Sequence, residues 1–306
     1  MLFRTLSLKM NLAMLSVALL SLPLCAADGK SIIKPNDPAN SAAQAAQAKV
    51  DKIISEKQKQ IIHEAADAIA NTKKALAALE QDKQQKALSA LEKAIGELEV
   101  ALARDPDLAL AAIDAQITIH DLYSTLEQIE QARKQAEDYL EDNKIQNARD
   151  ILGGLASEVN ISVVNIPLAI YPKAIRDAIS LVDAGNTKKA KAVLRVALNS
   201  LVETRHIIPL PIIRAEENLD KAEALAEKKD RTEVEDISLT HFLDQARLQL
   251  TIAEALGYGS KDDYRMLYKH LDGIIEETEG GMPKSDLFNE IRNFLTDLAG
   301  SFTDKK

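Results

Sequence analysis

The chain of 306 residues has no tryptophan, one cysteine and few aromatic residues, 4% in all. A lone thiol, Cys25, can form neither a disulfide within the chain nor a cysteine-rich zinc site. The five histidines, His63, His120, His206, His241 and His270, are scattered, and no two have the i, i+4 spacing of a helical zinc site. His63-Glu64 is half of a zincin motif, but Asp67 stands where its second histidine would be. A Gly-x-Ser-x-Gly nucleophile elbow is absent. Gly257-Tyr-Gly-Ser-Lys261 is too short for a phosphate loop, and Asp262-Asp263 lacks the alternating oxygen ligands of a calcium loop. From these absences we expect no catalytic residue, no metal and no cofactor, and hence no enzyme. A basic excess is also missing, and a net charge of −9 argues against nucleic acid as a partner. No apolar run reaches the roughly 20 residues that span a bilayer, so no stable membrane insertion is expected.

What is plentiful is alanine, leucine, glutamate, lysine and glutamine, residues that lose little rotamer freedom in a helix. The first residues have the form of an address: Arg4 and Lys9 make a basic start, Met10 to Leu22 an apolar stretch, and Cys25-Ala26-Ala27 a run of small residues suited to signal peptidase. Residues 1–27 are therefore expected to be a signal peptide, which implies a periplasmic mature protein. Residues 28–40, polar and carrying Pro35 and Pro38, have the composition of a flexible linker. From Ala42, one long helical stretch is expected up to the polar break Gln81-Asp82-Lys83, with Ile53, Ile54, Ile61, Ile62, Ile69, Leu76 and Leu79 on its apolar side.

An internal repeat organises the middle of the chain. Leu79 and Ala87, Leu140 and Ala148, Val182 and Ala190 are each eight apart, and four residues past each alanine comes Leu91, Leu152 or Leu194. The polar link within each pair can hold a tight turn between antiparallel helices, and the small alanine lets the two helices approach. Each hairpin precedes an extended stretch. Ile113 to His120 and Val159 to Val163 alternate apolar and polar residues with the period of a strand, and Thr204 to Ile208 is short and β-branched before Pro209. The expected fold is mainly α: helical hairpins repeated three times, with a small β-sheet made by the intervening strands. The alternative is an all-α TPR-like solenoid, although the spacings between copies, about 61 and 42, are unequal and neither is the 34 residues of a tetratricopeptide repeat.

Other features mark helix ends. Asp105-Pro106 and Tyr171-Pro172 place proline where a first helical turn tolerates it, and Asp121 is expected to cap a helix running to Leu140. Ile213 to Ala226, Leu239 to Leu256 and Tyr264 to Ile275 should be helical, with a solvated charged loop from Glu227 to Glu235 and a helix stop at Gly257-Tyr-Gly259. Gly280-Gly-Met-Pro283 is expected to link to a last amphipathic helix, Asp286 to Phe302, with Phe288, Ile291, Leu295 and Leu298 on its apolar face. Its first reading is a cover over the core, ahead of an oligomer contact or a membrane-surface helix.

The phrases Asn165-Ile-Pro-Leu-Ala-Ile-Tyr-Pro172, Ile208-Pro-Leu-Pro-Ile-Ile-Arg-Ala-Glu216 and Ala253-Glu-Ala-Leu-Gly-Tyr-Gly259, with Val182-Asp-Ala-Gly185 between, resemble the YfdX family of exported bacterial proteins. The resemblance runs from about Ala65 to Leu271, within an expected helical domain of residues 41–279, and leaves the C-terminal segment 280–306 outside. It implies a non-enzymatic, stress-related periplasmic protein that forms homo-oligomers and binds protein clients in a chaperone-like way. The alternative is a structural self-assembling oligomer without client binding. Tyr171, Arg214 and Tyr258 lie inside the family phrases and are the candidate binding residues. The two proline-broken apolar segments around them are expected to be core first and client groove second.

Overall fold

Three hairpins with a shared turn chemistry set the architecture. In the computed structural model, which describes residues 38–279 and 285–302, α2 (His63–Glu80) and α3 (Gln84–Arg104) form the first hairpin, and α4 (Leu126–Glu141) and α5 (Ile145–Gly154) the second. The third is α6 (Tyr171–Asp183) with α7 (Thr187–Leu198). The same backbone event closes each turn. Asp82, Asn143 and Gly185, at equivalent positions, all have positive φ. The amide of the following residue then bonds back to the carbonyl five residues before it: Lys83 to Ala78, Lys144 to Tyr139, and Asn186 to Leu181. That is the Schellman ending of a helix, which satisfies two otherwise orphaned carbonyls. Only the third copy has the residue for which this conformation is unstrained. Gly185 has φ +73 and no neighbouring atoms around its missing Cβ, so a substitution there adds strain without a clash. Gly185→Ala should therefore lower unfolding stability by about 1 kcal/mol, read as a shift in denaturant midpoint at constant slope.

Each hairpin feeds a strand: β1 (Leu110–His120), β2 (Glu158–Pro167) and β3 (Val202–Pro209). They form one antiparallel sheet in the order β1-β2-β3, with Ile117 opposite Ile161 and Ile161 opposite His206. The all-α solenoid is thereby excluded. Because neighbouring strands run in opposite directions, successive hairpins are delivered to opposite ends of the sheet. The first and third hairpins meet at one end, α2 against α7 and α3 against α6. Leu79, Leu91, Leu98, Tyr171, Ile175 and Leu194 are buried between them. The second hairpin is carried to the other end, away from the first and third, where α4 meets the helix Glu233–Ala255 of the C-terminal part.

The chain after β3 fills that other end. Helices α8 (Leu210–Ala226), α9 (Glu233–Ala255), α10 (Lys261–Glu279) and α11 (Ser285–Gly300) make a bundle around Leu219, Phe242, Leu250, Tyr264 and Phe288. On α11, Phe288, Ile291, Leu295 and Leu298 are all buried, so the last helix is a cover for this core. Helix α1 (Pro38–Lys59) crosses one sheet face, setting Ala46 and Val50 over Val159, Ile161 and Val163, and Lys49 ties it to Glu216 of α8. The opposite face carries Gln116, Thr118, Asn160, Ser162, Glu203 and Arg205, with Val164 and Ile207 half-buried among them. This is the apolar-in, polar-out alternation of an antiparallel sheet with one wet side. A bulge between Ala112 and Asp114 reverses the alternation in β1, so Ala111 and Ile113 face the hairpin core while Ala112, Ala115 and Ile117 face α1.

Five expectations need correction. The stretch from Ala42 to Gln81 is two helices, broken at Gln60–Ile62, because the Ile62 amide leaves the helix to bond the Ala112 carbonyl on the edge of β1. Asp105-Pro106 ends α3 and begins a turn into β1; it starts no helix. Asp121 does not cap α4: Thr125 does, in a capping box with Gln128. Residues 233–235, expected in the charged loop, open α9 through a second capping box made by Thr232 and Glu235. The linker expected at residues 28–40 overlaps α1, which starts at Pro38. The expected signal peptide and the Gly280–Pro283 link lie outside the described residues.

Candidate functional site

All three strands end or begin near one point, and that convergence builds a polar network. β1 runs out at His120 into Asp121, β2 begins at Glu158 just after Ser157, and β3 leads through Pro209 into α8, whose second turn carries Arg214. Arg214 Nη2 donates to Asp121 Oδ2 at 2.7 Å, and Ser157 Oγ donates to Asp121 Oδ1 at 3.4 Å. The Ser157 amide donates to the Tyr258 hydroxyl oxygen at 3.0 Å, and that hydroxyl donates to Glu158 Oε2 at 2.7 Å. Tyr264 in turn donates to the Tyr258 carbonyl. Burial opposes ionisation of Asp121, but hydrogen bonds from Arg214, Tyr123 and Ser157 outweigh it and hold its carboxyl below the ordinary range. Burial and the neighbouring Glu158 push the Tyr258 hydroxyl up, so it is a permanent donor.

Beside this network, under α1, lies a cleft of about 410 Å³ lined by Ala46, Val50, Tyr123, Ile213, Arg214 and Gln249. The Gln249 Oε1 atom is buried there with no hydrogen-bond partner among the described residues. The network is a structural tie: it fastens the end of the sheet to α8 and to the α9–α10 turn. Among the described residues no group of three histidine, cysteine or acidic side chains is arranged to hold a metal ion.

Tyr171 sits elsewhere. It opens α6 beyond the far end of β2, separated from Arg214 by the ten residues of that strand, or about 30 Å at the usual rise. Its ring is fully buried, and burial pushes its hydroxyl up to about 12. Thr72 faces that hydroxyl but gives its own proton to the Ala68 carbonyl, and Tyr171 Oη has no hydrogen-bond partner among the described residues. The structure thus brings Arg214 and Tyr258 into one network and leaves Tyr171 in the packed core between the first and third hairpins.

Next to Tyr171, on the outer side of the third hairpin, α6 and α7 part to form a second cleft of about 380 Å³. Its walls are Ile170, Ala174, Val193, Val196 and Ala197, and its rim holds Lys173 and Asp177, paired with each other at 2.6 Å. Ile170 is 55% exposed and Val196 69%. Most of the proline-broken segments is core, with Ile166, Leu168, Tyr171, Leu210, Ile212 and Ile213 buried; Ile207 and Ile208 are half-buried, and Ala169 and Ile170 are exposed. Val196 was legible as apolar but not as exposed. It is two residues past Leu194, on the side of α7 away from the stripe that Ala190, Leu194 and Ala197 bury.

No helix among the described residues is long and apolar enough to cross a membrane. Residues 68–207 match the family model described as YfdX protein. No curated protein matches the chain. Among solved structures, YfdX from Salmonella Typhi is 20% identical, with a TM-score of 0.35, over 49% of this chain and 93% of that one.

Proposed function

We propose that this protein, whose residues 68–207 are a YfdX family region, is a non-enzymatic, stress-related periplasmic protein that holds apolar segments of unfolded clients in the cleft between α6 and α7. The observation that carries the reading is the composition of that cleft. Large apolar side chains at Ile170 and Val196 remain in water, flanked by alanines that leave room for a partner's side chains. The rim charges, Lys173 and Asp177, already neutralise each other. Such a surface selects for apolarity and little else, which suits varied clients.

Purified protein at near-stoichiometric ratio should suppress precipitation of an unfolding client at neutral and at acidic pH. Val196→Asp, a change at an exposed site that leaves the fold intact, should weaken suppression several-fold. Val234→Asp, equally exposed on α9, should leave it unchanged. Wild-type protein without effect on precipitation, or Val196→Asp protein as active as wild type, would remove the reading. A second reading, a structural homo-oligomer without client binding, is favoured by the partly exposed apolar face of the second hairpin; on that reading Val196→Asp is silent.

A further inference from the structure

The three hairpins are equivalent in sequence and turn geometry but not in packing. Leu79 and Leu91 of the first, and Val182 and Leu194 of the third, are buried. Their counterparts in the second, Leu140 and Leu152, are each 48% exposed. Between them Ile145 is also exposed, where the other two hairpins carry Gln84 and Thr187. The second hairpin packs through α4 on α9, but it keeps the apolar positions by which the other two hairpins meet, adds one more, and leaves all three, Leu140, Ile145 and Leu152, exposed.

The first and third hairpins show what covers those positions. They pack with the first helix of each against the second helix of the other, α2 on α7 and α3 on α6. That reciprocal pattern is the one a twofold axis generates. The meander holds the second hairpin at the opposite end of the sheet from the other two, so neither of them can reach it.

We propose that the hairpin α4–α5 pairs with the same hairpin of a second copy, α4 against the partner's α5 and α5 against the partner's α4. The pair reproduces between chains the arrangement that the first and third hairpins make within one. A second copy is the occupant that supplies both helices with matching leucines at matching spacing, and a twofold contact closes at two chains without leaving an apolar face over. This deepens the self-association reading above and is independent of client capture at α6–α7.

Light scattering coupled to size exclusion on the full chain gives the test. Wild-type protein should have twice the mass of one chain. The double variant Leu140→Lys, Leu152→Lys should have the mass of one chain with an unchanged circular dichroism spectrum, and should still suppress client precipitation. The milder Ile145→Lys, at a site where the other hairpins are polar, should raise the dissociation constant at least tenfold, and it serves as the readout if the double variant fails to fold. Val196→Asp should stay dimeric. A wild-type protein of single mass at its highest soluble concentration, or folded variants at 140, 145 and 152 that remain dimeric, would overturn the proposal. Loss of client suppression in Val196→Asp with dimer retained would not touch it.

Discussion

Leu91→Ala and Leu194→Ala should each destabilise the protein by about 2 to 5 kcal/mol, whereas Leu152→Ala should cost about 1 kcal/mol or less. The three leucines occupy one position of the repeat, four residues past Ala87, Ala190 and Ala148. Leu91 and Leu194 have no solvent contact and lie in one cluster with Leu79, Leu98 and Val182. Removing either side chain leaves a cavity in an interface between two hairpins that cannot collapse without shifting four helices. Leu152 is already half in water, so its truncation loses part of a transfer term and opens no cavity. Denaturant titration at low protein concentration makes the comparison, since association of the second hairpin would add a concentration-dependent term at Leu152. Equal losses at all three positions would mean that the second hairpin is packed as the others are.

Tyr258→Phe should cost about 1 to 3 kcal/mol although it removes one oxygen atom. The ring would stay, edge-on to Phe302 at 5.7 Å, so apolar packing is conserved. What is lost is the acceptor for the buried Ser157 amide and the donor to Glu158. The amide is left without a partner where water does not reach, and an unmade bond at a buried group costs its full desolvation. Tyr268→Phe is the control. Its hydroxyl bonds Glu254 at 2.8 Å in a half-open setting where water can replace it, so the loss should be smaller. Urea or thermal unfolding of the three proteins decides it, and a Tyr258→Phe midpoint equal to wild type would show that the sheet end is not tied through this hydroxyl.

Much of the fold was legible because it is written in local periodicities. Eight-residue spacing across each turn marked all three hairpins, and alternation marked β1 and β2 inside a chain whose composition is strongly helical. The break between α1 and α2 was not legible, since Gln60, Ile61 and Ile62 carry no glycine or proline. It exists because of a hydrogen bond to a strand 50 residues away. Asp121 misled for the same reason: it has the chemistry of a helix cap, but Arg214, 93 residues on, holds its carboxylate. The capping boxes at Thr125 and Thr232 are legible as Thr-x-x-Gln and Thr-x-x-Glu, beside the competing signals of Asp121 and of the charged run from Glu227. Of the candidate residues, Tyr171 could not be separated from Arg214 and Tyr258, because which end of a sheet a segment reaches depends on strand order. The exposed cleft at Ile170 and Val196 was hidden in the same way, as helical spacing shows which residues are apolar but not which of two apolar faces finds a neighbour.

Hydrogen–deuterium exchange with and without an unfolded client measures the central claim most directly. The account predicts added protection confined to residues 170–177 and 192–200, the walls of the α6–α7 cleft, and lost in Val196→Asp. Client precipitation suppressed with no change in exchange across those two segments would contradict it.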